Sequence, residues 1–307
     1  MGARTRKARR HSRTHIIGFG FAGVLGFIAL LSIALAISAG ALVNSWLLNL
    51  PDYEATDAYL VAEPTQVFDA DDNVIAEYYL QNRRVVSKDE VSPYVLMGTV
   101  DTEDIRFYQH NGIDPQGIAR AVVVQFTGGS EGASTITQQL VRNTVLSDEQ
   151  FEQTLKRKVR EAYIAIQMEK KYSKDQILMM YINTIYYGHA AYGIQAASIT
   201  YFNKDAKNLT LAEAALLAGL PQSPSAYDPT KNPELAIQRR NLVLERMYTA
   251  SDITEEEKNA AQAEPLTLNE GQVMEEQGVY PYFTDYVKQL LLQQFDQSTV
   301  FQGGLKV

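Results

Sequence analysis

The sequence predicts a mainly α-helical fold with one transmembrane helix near the N-terminus and a short β-hairpin after it. Two observations predict this class. Residues 16–43 carry no charge, and three helix-capping signals lie later in the chain, the first of them followed by apolar residues at helical spacing. A strand-like pattern around a polar turn is found at residues 65–80, TQVFDADDNVIAEYYL.

Charge divides the chain into three regions. Residues 1–14 contain six Arg or Lys and no acid, and residues 15–50 contain no charged side chain other than histidine. The remainder holds 22 basic and 36 acidic residues, a net charge of −14. The chain has no cysteine, which excludes disulfides and thiolate catalysis.

The uncharged stretch, residues 16–43, is longer than the roughly 20 residues that cross a bilayer as a helix. The alternative is a cleaved signal peptide, whose apolar region is usually only about 7–15 residues long. A membrane anchor is therefore favoured, with Trp46 at the far interface. The basic residues before it predict a cytoplasmic N-terminus and an extracytoplasmic body in the cell membrane.

The body is predicted to be helical. Capping boxes pair Ser173 with Gln176, Thr210 with Glu213 and Thr254 with Glu257. A further helix is predicted from Leu235 to Met247, with Ile237, Leu242 and Leu244 facing inward.

The last residues, FQGGLKV (301–307), resemble the opening of a strand that needs a partner. The predicted organisation is a basic tail (1–15), a transmembrane helix (16–43), a membrane-proximal stalk with the hairpin (44–85), a main helical domain (86–250) and a linker (251–307).

The first motif is TVDTEDIRFYQHNGI, residues 99–113. Asp101 or Thr102 can cap a helix, which places Glu103 in the first turn, where the helix dipole favours a solvated carboxylate. The functional alternative is that Glu103 is a catalytic base. Its raised basicity would then come from an apolar surround, for which Phe107 and Tyr108 are the candidates.

The second motif, GASTITQQLVRN (132–143), is dense in neutral hydrogen-bonding groups. Such groups suit a polyhydroxylated ligand, although a polar turn followed by a solvated helix face has the same composition. The third motif, residues 156–188, places Arg157 and Lys158 beside Glu161 on one helical face, with Val159, Ala162 and Ile166 as the opposite, buried stripe. It is either an ordinary amphipathic helix or a cationic wall for phosphates.

Together and in this order, the motifs resemble the glycosyltransferase module of class A, bifunctional penicillin-binding proteins, the family 51 peptidoglycan glycosyltransferases. The matching residues are Glu103, Asp104, Phe107, His110 and Gly112 of EDxxFxxHxG; residues 132–139 of GGSTITQQ; Arg157, Lys158, Glu161 and Ala162 of RKxxEA; Tyr181, Asn183, Tyr186 and Gly188 of YxNxxYxG; and residues 211–229 and 239–247. The resemblance covers residues from about 60 to 250.

The resemblance implies a lysozyme-like, mainly helical domain with a smaller membrane-proximal jaw, which polymerises lipid II into β-1,4 glycan strands and releases undecaprenyl pyrophosphate. Glu103 would be the general base. Glu161 would be a second catalytic carboxylate that orients cations or holds a divalent metal, Mg²⁺ or Mn²⁺; no cofactor beyond that is implied. The implied substrate-binding residues are Asp104, Phe107, His110, Arg120, Ser134, Thr135, Gln138, Gln139, Arg142, Asn143, Arg157, Lys158 and Arg160.

The chain departs from the family pattern at three places. Ala133 stands where the family has a second glycine, Arg142 stands where a lysine is usual, and residues 147–156 form a longer segment without the arginine that many members use on the pyrophosphate. The jaw helix near residues 113–126 is apolar enough to dip into the bilayer surface, although a buried helix has the same pattern.

The predicted partners are lipid II, the growing glycan strand, the bilayer, a C-terminal transpeptidase domain in the full-length protein, and proteins of the division or elongation machinery; nucleic acid is not among them. Two alternatives to synthesis are a lysozyme-like lytic transglycosylase or hydrolase and a catalytically silent membrane scaffold. The cationic third motif favours a phosphate-bearing substrate, and the two carboxylates Glu103 and Glu161 argue against a silent scaffold.

Overall fold

A computed structural model describes residues 26–53, 65–78, 84–129, 132–269, 280–295, 299–300 and 305–307. The predicted basic tail and the start of the predicted transmembrane stretch, residues 1–25, lie outside the described residues. The chain forms two compact units. Of the described residues, the first unit contains 26–50 and 154–160, and the second contains all the others.

The first unit is built on helix α1, Gly26–Leu47, which has a mean hydropathy of 2.3 and is long and apolar enough to cross a membrane. The helix continues four residues beyond the predicted end at Val43, so Trp46 lies within it. After α1, the backbone carbonyl of Asn49 accepts a hydrogen bond from Arg160 Nη2 at 3.0 Å.

The second unit is mainly helical, which confirms the predicted fold class. Its helices are α2 (Pro93–Glu103), α3 (Pro115–Phe126), α4 (Ile136–Asn143), α5 (Leu155–Lys171, whose first six residues belong to the first unit), α6 (Lys174–Thr184), α7 (Ile194–Phe202), α8 (Leu211–Gly219), α9 (Pro233–Thr249), α10 (Glu255–Ala263) and α11 (Pro281–Gln294).

All three predicted capping boxes are present, at the starts of α6, α8 and α10. A further capping box, between Thr135 and Gln138, begins α4. These reciprocal side-chain to backbone hydrogen bonds satisfy N–H groups that have no partner within the helix.

The core that supports α2 is made of small side chains. Helix α8 packs against both α2 and α9, and α10 packs on α9. The buried cluster consists of Ala212, Ala215, Ala218, Val243, Leu244, Met247, Ile253 and Ala261. Alanines on α8 permit a close approach of the helices, and a Cβ at Gly98 of α2 would lie only 3.3 Å from Ala218 Cβ.

The predicted inward face of α9 is partly wrong. Leu244 is buried, but Leu242 is 43% exposed, while Arg239 and Arg240 are buried. The spacing of apolar residues does not predict that these arginines are buried. Their guanidinium groups donate hydrogen bonds to buried backbone carbonyls, such as that of Gly219 for Arg239.

The predicted hairpin is present as the antiparallel pair β1 (Thr65–Phe68) and β2 (Val74–Tyr78). It packs against Val287 and Leu291 of α11. The predicted final strand also has a partner: Gln66 N–H donates to Leu305 O at 2.8 Å, and Val307 N–H donates to Gln66 O at 2.9 Å, in a parallel arrangement.

The predicted domain boundaries stay predictions, but the segment proposed as a linker is structured in part. Ile253 and Ala261 belong to the core cluster, and α11 with residues 305–307 packs on or pairs with the hairpin.

Asp228 joins two loops of the second unit. Its carboxylate accepts hydrogen bonds from the Thr230 backbone N–H at 3.0 Å and the Thr230 hydroxyl at 2.7 Å, lies 3.0 Å from His189 Nε2, and forms an ion pair with Lys231. Burial raises the pKa of Asp228, but the hydrogen bonds from Thr230 and His189 outweigh burial and lower the pKa to about 2.

We expect Asp228→Asn to lower the free energy of unfolding at pH 7 by about 1–3 kcal/mol, because hydrogen bonds to a charged acceptor are lost. Since the pKa is depressed from 3.8 to about 2, the wild-type advantage is fully present above pH 4 and disappears as the pH falls towards 2. Denaturant unfolding at pH 7 and pH 2.5 measures this, with Asp72→Asn at the exposed hairpin turn as the control. An equal difference at both pH values would contradict the assignment.

Candidate active site

A cavity of about 640 Å³ lies in the second unit at the C-terminal end of α2, beside α3, the start of α4, and α9. Its volume is in the range of small-molecule binding sites. Its lining residues are Asp101, Thr102, Glu103, Asp104, Ile105, Asp114, Gly117, Arg120, Gly132, Ala133, Ser134, Thr135, Gln139, Arg142, Pro221, Gln222, Arg239 and Arg246.

Glu103 is the last residue of α2, not a residue of a first turn as predicted. The C-terminal end of a helix carries partial negative charge, so the dipole does not stabilise this carboxylate. Neighbouring side chains do so instead. Gln139 Nε2 donates a hydrogen bond of 2.8 Å to Glu103 Oε2, and Arg239 Nη2 lies 3.8 Å from Oε1. The Glu103 side chain is 11% exposed, at the cavity wall.

Gln139 is held by two further hydrogen bonds. The buried Tyr181 hydroxyl donates to Gln139 Oε1 at 3.1 Å, and Asn143 Nδ2 donates to the Gln139 backbone carbonyl at 2.8 Å. Burial, and then the charge of Glu103, raise the pKa of Tyr181, so the phenol keeps its proton and donates. The amide of Gln139 is thereby oriented with its N–H towards Glu103.

Arg239 is held in place by contacts on the side away from Glu103. Its Nε donates to Gly219 O at 3.0 Å, and its guanidinium lies 5.4 Å from the ring centre of Tyr227. A Cβ at Gly219 would lie 2.8 Å from Arg239 Cγ, so the absence of a side chain there lets the arginine approach. Seven residues along α9, Arg246 Nη1 donates to the Thr102 backbone carbonyl at 2.6 Å.

Asp104 and His110 hold the start of α4. Asp104 Oδ2 accepts a hydrogen bond from the Ile136 N–H at 3.1 Å and lies 2.9 Å from His110 Nε2. Ile136 is the first residue of α4, where N–H groups lack helical partners. Both side chains were predicted to bind substrate. Asp104 reaches the cavity lining, whereas His110 is buried and does not.

The predicted apolar surround of Glu103 is wrong for Tyr108 and is not supported for Phe107. Tyr108 is 56% exposed and donates from its hydroxyl to Asp175 at 3.0 Å. Phe107 is fully buried, but its ring contacts are with Tyr108, His110 and Lys174, and it does not line the cavity.

The second motif divides between site and scaffold. Ser134, Gln139 and Arg142 line the cavity. Thr135 also lines it, but its hydroxyl donates to Gly112 O at 2.7 Å and accepts from the Gln138 N–H. The predicted binding residue Gln138 is used in that capping box, and Asn143 supports Gln139. Their side chains are used to build α4, and Gln138 and Asn143 do not line the cavity.

The third motif differs most from its prediction. Arg157, Arg160 and Glu161 are buried, whereas Val159, Ala162 and Ile166 are only half-buried, so the predicted inner and outer faces of α5 are wrong. Arg157, Lys158 and Arg160 belong to the first unit, and neither they nor Glu161 line the cavity of the second.

Four arginines do line the cavity: the predicted Arg120 and Arg142, and the unassigned Arg239 and Arg246. The signal for the last two was in the sequence, because arginines seven residues apart lie on one face of a helix, beside Val243 and Met247. They were overlooked because only the apolar members of that face were counted.

The residues present do not form a metal-binding set around Glu161. Across the described ranges, no group of three or more His, Asp or Glu side chains is arranged to hold a metal ion. Glu161 itself is fully buried.

Comparisons with known proteins agree with the motif resemblance. The chain is 39% identical over 287 residues to penicillin-binding protein 1A of Aquifex aeolicus, which covers 93% of this chain and 38% of the relative. It is 39% identical to penicillin-binding protein 1A of Escherichia coli (84% and 30% covered) and 42% identical to penicillin-binding protein 1A/1B of Bacillus subtilis (76% and 26%).

Among solved structures, the chain is similar to a crystal structure of penicillin-binding protein 1A from Haemophilus influenzae, with a TM-score of 0.45 and 25% identity over 81% of this chain and 26% of that one. The chain thus spans less than two-fifths of the length of each of these relatives. The family model described as "Transglycosylase" matches residues 71–248, more than half of the chain and all of the residues that line the cavity. The chain belongs to the transglycosylase family.

Proposed function

We propose that the chain is a peptidoglycan glycosyltransferase that extends glycan strands from a lipid-linked disaccharide donor, lipid II. The observation that carries this proposal is Glu103, held at the wall of the cavity by Gln139 and Arg239, with further arginines on the same wall. Family membership supports the activity, and the site residues supply the chemistry.

In the proposed reaction, the Glu103 carboxylate removes the proton of the acceptor sugar's 4-hydroxyl while that oxygen attacks the anomeric carbon of the donor. The new C–O bond forms with inversion as the bond to the pyrophosphate oxygen breaks, and undecaprenyl pyrophosphate leaves. Gln139 occupies Oε2, so we assign Oε1 as the atom that accepts the proton.

Charge develops on the departing pyrophosphate, and preorganised cations stabilise it. Arg120 and Arg142 line the cavity on α3 and α4, and arginine binds phosphoryl oxygens through a planar pair of donors. Glu161 is fully buried, so its carboxylate would act through the side chains around it rather than by touching substrate.

The apolar side of α3 supports a lipid substrate. Ile118, Val122, Val123 and Phe126 are exposed, and Gly117 alone is buried among the residues of α3, which supports the surface role over the buried-helix alternative. We propose that this surface meets the bilayer, with α1 as the anchor, the N-terminus in the cytoplasm and the catalytic unit outside. A transpeptidase domain in the full-length protein is proposed from the greater length of the relatives.

We expect Glu103→Gln to lower the rate of glycan synthesis by about 10²–10⁴-fold, because the amide cannot accept the proton. The measurement is conversion of labelled lipid II to polymer, separated by gel electrophoresis. Glu256→Gln, on the exposed side of α10, is the matched control and should behave as wild type. Full activity in Glu103→Gln would reject the mechanism. A wild-type protein that shortens existing glycan and ignores lipid II would instead be a hydrolase.

We expect Arg142→Gln to reduce kcat/KM by about 10–1000-fold, since several kcal/mol of charge stabilisation are at stake in a water-poor site. Arg142→Lys should recover part of that loss, because it retains charge but not the two-pronged geometry. Steady-state kinetics with lipid II measure both variants. Equal kinetics in Arg142→Gln and wild type would remove this residue from the site.

We expect the double variant Val123→Ser, Phe126→Ser to lose most of its activity in liposomes while losing less in detergent micelles, because a planar bilayer demands contact with the α3 surface. Leu235→Ser, at an exposed apolar residue of α9, is the control. An equal loss in liposomes and in micelles would contradict a membrane role for α3.

A further inference from the structure

A cluster of charged side chains lies at the start of α4, and the mechanism above does not use two of its members. Glu169 of α5 and Lys174, the first residue of α6, form an ion pair at 2.7 Å, and their side chains are 3% and 19% exposed. Neither residue lines the cavity. Each charge lies at the end of its helix that the dipole disfavours, the anion in the last turn and the cation in the first. The stability of the two helices therefore does not explain the pair.

His110 lies between two carboxylates of this cluster. Its Nε2 is 2.9 Å from Asp104 Oδ2, and its Nδ1 is 4.0 Å from Glu169 Oε1. An imidazole that can approach either carboxylate is attracted more strongly to the one that has no other cation, because an unpaired buried charge is costly. Since Lys174 already neutralises Glu169, the imidazole is left to Asp104.

The Lys174 ammonium also determines which nitrogen of His110 carries the proton. Nζ lies 3.5 Å from His110 Nδ1 and 4.4 Å from the ring centre of Phe107. An ammonium group has three donors and no acceptor, so Nδ1 is the unprotonated, accepting nitrogen. The proton of the neutral ring then lies on Nε2 and is donated to Asp104. A second proton, on Nδ1, would place a cationic ring against a cation.

The other acids near this ring have partners of their own. Asp114 forms an ion pair with Arg106. Asp175, the second residue of α6, forms an ion pair with Lys88 at 2.6 Å. Both acids are thus already paired, and the imidazole of His110 is shared only between the two carboxylates described above.

The same two carboxylates hold the first turn of α4. Asp104 Oδ2 accepts a hydrogen bond from the Ile136 N–H at 3.1 Å, and Glu169 Oε1 accepts one from the Thr137 hydroxyl at 2.5 Å. Gln139, which donates to the proposed base, lies two residues further along this helix. A shift of either carboxylate would therefore move the amide that holds the base.

We propose that Lys174 is a positioning residue for the proposed reaction. By pairing with Glu169, it keeps the imidazole of His110 on Asp104, and this contact keeps the start of α4 aligned with the end of α2. The inference rests on the proposed glycosyltransferase function. Without the ammonium, Glu169 would attract a second proton to His110 Nδ1 and draw the ring towards itself. Asp104 would then lose a donor, and its hydrogen bond to Ile136 would loosen.

The first test is the steady-state kinetics of lipid II polymerisation. Lys174→Met removes the charge but keeps most of the side-chain volume, and we expect kcat to fall about 10–100-fold because the base is misplaced. KM should change less than about threefold, since the cavity arginines are untouched. Lys174→Arg keeps a donor-only cation and should stay within about threefold of the wild-type kcat. Lys170→Met, at an exposed residue of α5, is the matched control and should behave as wild type.

The double variant Lys174→Met, Glu169→Gln separates competition for the imidazole from the mere loss of a contact. It leaves no charge to compete for His110, so kcat should return to within about threefold of wild type. The amide oxygen can still accept from Thr137, and no unpaired charge is buried, so this variant should fold even if Lys174→Met does not. A folded double variant with about one-tenth of the wild-type kcat or less would overturn the proposal.

The second test is made without substrate. The chain contains four histidines, so labelling histidine alone with ¹⁵N gives few signals, and those absent from His110→Gln belong to this ring. Long-range ¹H–¹⁵N correlation spectra distinguish a protonated from an unprotonated ring nitrogen. At the pH of the assay, we expect a proton on Nε2 and none on Nδ1 in the wild type and in the double variant, and a proton on Nδ1 in Lys174→Met. A proton on Nδ1 in the wild type would contradict the assignment.

The outcomes separate the two proposals. An active wild type that Lys174→Met matches in kcat overturns the positioning role alone. A slow Lys174→Met in which His110 Nδ1 stays unprotonated overturns the competition between the two carboxylates. A folded wild type without polymerising activity rejects the proposed function, and the spectra still decide which carboxylate the imidazole serves.

Discussion

The site depends on how neighbouring side chains hold one carboxylate at the C-terminal end of a helix, where the helix dipole is unfavourable for an anion. Glu103 ends α2, where the backbone offers an anion no support, so its charge depends on Gln139 from α4 and Arg239 from α9. Each of these is fixed in turn, Gln139 by the Tyr181 hydroxyl and Arg239 by the Gly219 carbonyl. The position of the Glu103 carboxylate therefore depends on the relative positions of four helices, α2, α4, α6 and α9, and of the end of α8.

The alanine-rich packing of α8 contributes to this arrangement of side chains around Glu103. Small side chains let α8 lie close to α2 and α9, and that closeness brings Gly219 within reach of Arg239. A larger residue on this face would separate the helices. It would then move Arg239 relative to Glu103, in addition to lowering the stability of the fold. The packing of α8 and the position of Glu103 are thus linked through a few short distances.

Much of the fold could be predicted from the sequence, because its signals are local. Capping boxes, the uncharged stretch of α1 and the hairpin pattern each depend on neighbouring residues. The capping boxes and the hairpin were found where expected, and α1 ends four residues beyond its predicted end. Glu103, Ser134, Gln139 and Arg142, which were predicted as site residues from the resemblance of motifs rather than from spacing, line the cavity. What failed was orientation: the faces of α5 and α9 were inferred from apolar residues, while buried Arg160, Glu161 and Arg239 occupy the inner side. Polar side chains are buried when another part of the fold supplies a hydrogen-bond partner, and a single sequence does not reveal that partner.

The pairing of β1 with residues 305–307 has a consequence for biogenesis. Because Gln66 leaves the ribosome long before Leu305 and Val307, one edge of β1 stays unpaired while the residues between them are translated. That small sheet can be completed only after residues 305–307 have been synthesised, so we expect it to assemble after the helices that lie between its strands in the chain.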